Sequence, residues 1–172
     1  MDAPSPADPA RARAAGAHER LPGFIYGTLV VLTMIVVGAK AYPDEPGVVA
    51  ALVVVTAAVL WLAHVYAHGV ALSVSEEKRL SLADVRHLAR REGSIVQAAL
   101  PPVAPLLLAA AGVISTQVAI WTAIAVGLVV LGVLGVRFAR IRGFGTLRTC
   151  AAVAANLAFG VLVVVLKLLL AH

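Results

Sequence analysis

His64 and His68 stand four residues apart in a long apolar run. On an α-helix that spacing puts both imidazoles on one face, together with Trp61. Such a pair suits ligation of a transition metal or the handling of a proton. The same pair also suits a plainer role, as hydrogen-bonding residues near a membrane interface or between helices. His87 lies downstream in a charged segment that can fold back to bring a third ligand. Glu76, Glu77, Asp84 and Glu92 share that segment with Lys78, Arg79, Arg86, Arg90 and Arg91. These acids and His87 make either a cation site or a solvated linker whose charges compensate one another.

A second constellation follows at Gln97, Pro101, Pro102 and Pro105. Proline has no N–H, so Pro102 removes the helical bond to the carbonyl of Ala98 and Pro105 that to Pro101. A kink or local unwinding is expected, and its freed carbonyls are candidates for a transport path beside Gln97. After Glu92 the remaining 80 residues contain no Asp or Glu. A cation-coupled carrier of this sequence would therefore rely on histidines, backbone carbonyls or linker acids instead of an acid within a span. No phosphate loop, zinc-protease motif, or serine or cysteine with a plausible base is present, so no enzymatic activity is expected. No bound cofactor is expected either; a divalent metal would be cargo.

The elements that must position these groups are membrane spans. Of 172 residues, 61% are hydrophobic and 13% charged, against about a quarter charged in an ordinary soluble domain. The mean hydropathy is +0.96. Apolar residues come in unbroken runs of about 20, enough for a helix to cross roughly 30 Å of hydrocarbon. They lack the period-two alternation of a barrel. The expected fold is all-α: a polytopic membrane protein with five transmembrane helices, over about 21–41, 48–72, 94–114, 118–136 and 147–170. Residues 1–20, rich in Ala and Pro, are expected to be a disordered cytosolic tail. The first run is weighed against a signal peptide, since Ala39-Lys40-Ala41 has the small-x-small form of a cleavage site. Its length favours a retained span. The lone Cys150 reads as a small hydrophobe.

The linker, 73–93, is expected to carry a short amphipathic helix. Ser81-Leu82-Ala83-Asp84 reads as a capping box and Leu80 with Val85 as a hydrophobic staple. Leu82, Val85 and Leu88 (or Ala89) form an apolar stripe, Arg90 and Arg91 complement the helix dipole, and Gly93 is expected to stop the helix. Ser94-Ile95-Val96-Gln97 reads as a second capping box. Tyr42 to Gly47 and Ser115 to Gln117 read as tight turns.

Charge sets the topology. Placing the N-terminus inside gathers Arg11, Arg13, Arg20, Lys78, Arg79, Arg86, Arg90, Arg91, Arg137, Arg140, Arg142 and Arg148 on the inner side. That is 12 of the 14 Lys and Arg, leaving Lys40 and Lys167 outside. The positive-inside rule selects this arrangement, with the C-terminus outside and the plasma membrane as the expected location. The formal charge of +5 belongs to span flanks, so no nucleic-acid partner is expected; the partner is the lipid bilayer. Ala119, Ala123, Gly127 and Gly135 make a small-residue seam on the fourth span. It predicts close packing with a neighbouring span, or a homodimer face.

The segments SIVQAALPPVAPLL and LGVLGVRFARIRGFGTLRTCAAVAANLAFG resemble the third span and the ending of the vacuolar iron transporter family. The layout of five spans, a cytosolic N-terminus and a charged helical segment between spans two and three is similar too. The resemblance implies transport of ferrous iron or manganese by a reduced relative of that family. Acidic and methionine residues in the family's first two spans lack full counterparts. Here the first span has Met34 and no carboxylate, and the second has His64 and His68 and no methionine. The linker, of about 23 residues with four acids, is too short for the family's helical metal-binding domain. No iron ligand carries over. The expected function is thus a small transporter-type membrane protein moving a divalent cation, with a non-transporting membrane scaffold as the alternative.

Overall fold

The computed structural model of the chain describes the backbone of residues 9–75, 81–141 and 145–170. Over these residues it is helical and has no strand. The helices are α1 (Pro9–Ala41), α2 (Pro46–Ser75), α3 (Leu82–Glu92), α4 (Ser94–Gln97), α5 (Leu100–Ala110), α6 (Thr116–Ile141) and α7 (Thr146–Leu170). Glu76, Glu77, Lys78, Arg79, Leu80 and Arg142 lie outside the described residues, and with them the Leu80 half of the expected staple.

The expected disordered tail is helical from Pro9 onward; residues 1–8 lie outside the described part. The reason is local. Ala and Arg are strong helix formers, and proline is well tolerated in a helix's first turn. Three helices are long and apolar enough to cross a membrane: Pro22–Ala41, Pro46–Val74 and Thr116–Arg137. A fourth candidate is the bent pair Leu82–Gln97 with Leu100–Ala110, whose axes differ by 54°. In α7 the apolar stretch Thr146–Leu162 is shorter than these.

The break in that pair follows from sequence. Pro101 and Pro102 cannot donate to the carbonyls of Gln97 and Ala98, so the helix opens at Ala98–Ala99. Ala99 bonds back only three residues, to Val96, before Val103 resumes the α pattern to Ala99. Pro105 sits inside α5 without ending it. The chain then turns earlier than the expected Ser115 to Gln117. Gly112 has φ +74°, and Gly112 N–H and Val113 N–H donate to the carbonyls of Ala109 and Leu108. This is the glycine-terminated C-cap that only a residue without Cβ enters easily. Ser115 then caps α6, its Oγ accepting from Val118 N–H at 3.4 Å.

The first capping box forms as expected. Ser81 Oγ accepts from Asp84 N–H at 3.2 Å, and Ser81 N–H donates to Asp84 Oδ2 at 2.9 Å. The second does not. α3 does end at Glu92 with Gly93 as its C-cap, but Gly93 stays right-handed at φ −58° and Ser94 is the first residue of α4 rather than its cap. Ser94 is instead buried against α1. The expected apolar stripe of α3 is only partly inside, with Leu88 buried and Leu82 and Val85 exposed.

α1 lies at the centre, packed against α2, α4, α6 and α7. Val31, Leu32, Ile35 and Val36 join Val49, Val53, Leu106 and Leu131 in one apolar core. The seam of α6 is used within the chain. Ala119 and Ala123 are fully buried. A Cβ on Gly127 would stand 2.6 Å from Leu32 Cδ2, and one on Gly135 would stand 3.0 Å from the Cα of Val153. A homodimer through these four residues would have to open that core.

Candidate functional site

The far half of α2 carries the site. His64 and His68 share a face, as their spacing requires. That face looks toward α1 and α3. The His64 ring lies 5.6 Å from the Tyr26 ring of α1, at an interplanar angle of 46°, and 6.4 Å from the His68 ring. His64 Nδ1 lies 2.9 Å from the carbonyl of Leu60, and His68 Nδ1 lies 3.0 Å from that of His64. A carbonyl only accepts, so Nδ1–H donates in both rings. Nε2 is left as the basic nitrogen in both neutral tautomers.

Glu92 completes the cluster from the end of α3. Its Oε1 is 3.6 Å from His68 Nδ1, with the Glu92 side chain 11% exposed and that of His68 46% exposed. This is beyond a normal hydrogen bond, so the contact becomes an ion pair when the imidazole is protonated. Burying a carboxylate is costly without compensation, and His68 is its ion-pair partner among the described residues.

Two ties hold Glu92 in place. Trp61 Nε1–H donates to the carbonyl of Ala89 at 2.9 Å, fixing α3 to α2. On the other side α1 approaches very closely. A Cβ on Gly23 would stand 2.8 Å from Ser94 Oγ and 3.9 Å from Glu92 Oε2. A Cβ on Gly27 would stand 2.9 Å from the backbone oxygen of Ile95. Gly23 and Gly27 are four apart, the small-xxx-small spacing that lets helix backbones meet. The same spacing that marks Ala119, Ala123 and Gly127 of α6 in the sequence is present here. Neither these glycines nor Tyr26 between them is among the site residues expected from the sequence.

His87 takes no part in the cluster's ring contacts or ion pair. It lines a separate groove on the exposed side of α3, with Leu82, Ala83, Arg86 and Arg90. Among the described residues, no group of three or more His, Cys, Asp and Glu is arranged to hold a metal ion. The four residues expected along a transport path divide. Gln97 and Pro101 are exposed, while Pro102 and Pro105 are buried in the core beside Val103 and Leu106. What the cluster offers chemically is two basic imidazole nitrogens and one largely buried carboxylate, nearly two helical turns before the break at Ala98–Ala99.

Comparison with family models, with curated proteins and with solved structures finds no match.

Proposed function

We propose that this chain is a small transporter-type membrane protein that moves a cation across the bilayer, with His64, His68 and Glu92 as its exchange site. The carrying observation is the 3.6 Å approach of Glu92 to His68, because Glu92 is only 8% exposed. Ionisable groups held inside a membrane protein are costly and mark paths for ions or protons. The His68–Glu92 pair can take up and release a proton, or exchange one for a cation. The basic Nε2 of each imidazole suits a divalent transition metal as cargo, in keeping with the resemblance to the vacuolar iron transporter family, with Glu92, on the Nδ1–H side of His68, balancing its charge without ligating it. With only these donors in view, a metal would need further ligands from water or backbone.

In this reading the chain crosses the membrane five times, α4 and α5 together being the third span, α7 the fifth, and α3 a linker helix on the inner side. The N-terminus and the loop after α2 face the cytosol across a plasma membrane, and the C-terminus faces out.

The test is flux of divalent metals and of protons in proteoliposomes. Wild type should exceed empty vesicles, and Glu92→Gln and His64→Ala/His68→Ala should each reduce the excess at least about tenfold. Wild-type flux equal to that of empty vesicles would sink the reading.

A membrane scaffold is the second reading. One observation favours it: both Nδ1–H groups and the Trp61 N–H are already used on helix carbonyls. In that reading the histidines only satisfy carbonyls of their own helix, Trp61 ties α2 to α3, and the same assay shows no flux.

A further inference from the structure

The groove on α3 opposite the Glu92 cluster has no role in the proposed exchange site. It is lined by Leu82, Ala83, Arg86, His87 and Arg90. Arg86 and Arg90 are one helical turn apart, so their guanidinium groups project side by side. Both are exposed, and neither has an ion-pair partner among the described residues. His87 flanks them with a third donor. Leu82 stands one turn before Arg86 and is 89% exposed, so an apolar surface adjoins the two arginines.

We infer that this groove binds the phosphodiester headgroup of an anionic phospholipid. Two parallel guanidinium groups match the oxygens of a phosphate through paired, charge-assisted bonds. That alone would also suit a free anion. Leu82 and Ala83 decide between them. A lipid brings glycerol and acyl carbon directly below its phosphate, and an exposed leucine next to the arginines is where that carbon would lie. The groove is also held next to a membrane-crossing helix. Leu88 is buried on the opposite side of α3, and Trp61 of α2 fixes the backbone at Ala89. The basic face therefore cannot turn inward without breaking both ties.

The experiment measures the association of spin-labelled phosphatidylglycerol and phosphatidylcholine with the full chain in phosphatidylcholine vesicles. Wild type should favour the anionic lipid. Arg86→Gln/Arg90→Gln should lower that preference by roughly twenty-five-fold, at about fivefold per arginine. Arg137→Gln/Arg140→Gln, equally basic but outside the groove, should keep the preference. Arg86→Lys/Arg90→Lys keeps the charge, and should retain part of the preference if guanidinium geometry contributes. It also preserves a readable variant should the glutamine pair fail to fold. Equal loss in the Arg137/Arg140 control would overturn the inference, since the effect would then be general basicity. Full competition by millimolar inorganic phosphate would overturn it too, by showing a free-anion site. So would a wild type with no preference.

Discussion

Nδ1 of His68 lies 3.6 Å from Oε1 of Glu92, joining the far half of α2 to the end of α3. His68 is about half exposed, so solvent screens the pair, and its contribution to stability is roughly 0–1 kcal/mol. Glu92→Gln keeps the size of the side chain. It should therefore shift the unfolding midpoint in detergent by little while reducing transport strongly. A large fall in stability with proportionate loss of flux would assign Glu92 to structure alone.

The contact of Gly27 with Ile95 gives a sharper test of the fold. A methyl group there meets a backbone oxygen at 2.9 Å, and a carbonyl cannot swing aside as a side-chain tip can. Gly27→Ala should destabilise by about 1–3 kcal/mol. Gly47→Ala is the control, because its new methyl would sit 3.5 Å from Ala110 Cβ, an ordinary contact. Unfolding of both variants, followed by circular dichroism in one detergent, should separate them. Coincident melts would mean that α1 and α4 do not pack this way.

Trp61→Phe removes one donor and little volume. The carbonyl of Ala89 loses its side-chain partner, at a cost of about 0.5–1.5 kcal/mol. Hydrogen exchange should rise in α3 and stay unchanged in the α1–α2 turn. Ser81→Ala should raise exchange at the start of α3 by removing its cap, worth about 0.5–2 kcal/mol. Ser94→Ala should show no such capping loss.

Orientation can be read by chemical labelling. Thr146 is exposed at the start of α7, on the inner side in the proposed topology. In a Cys150→Ser background, Thr146→Cys should react with a membrane-impermeant maleimide in inverted vesicles and not in right-side-out ones. The opposite pattern would reverse the topology.

Features set within a few residues were legible in the sequence. The Ser81–Asp84 box, the shared face of His64 and His68, and the loss of helical bonds around Pro102 all follow from spacing alone. Ser94 shows the limit of such reasoning. Its box pattern matches that of Ser81, yet the backbone stays helical through Gly93, and the hydroxyl lies against α1 instead of capping. Gly112 was hidden because a glycine inside an apolar run does not reveal whether φ will be positive. The Glu92–His68 contact was out of reach, because nothing local says which linker acid turns back toward α2. Gly23 and Gly27 carried a readable signal, and only their partner in α4 had to come from the three-dimensional arrangement.

The glycine face of α1 has a consequence for biosynthesis. α1 leaves the ribosome before α4 and α6, yet Gly27 packs on Ile95 and Leu32 packs on Gly127. Until those segments arrive, α1 has only α2 to pack on, and in a bilayer its glycine face is left to lipid. Its apolar stretch from Pro22 to Ala41 is long enough for that, since a helix satisfies its own backbone in a bilayer. Assembly then proceeds by exchanging lipid for helix along that face. A nascent chain arrested before Glu92 would hold α1 and α2 without the carboxylate that meets His68 in the folded chain.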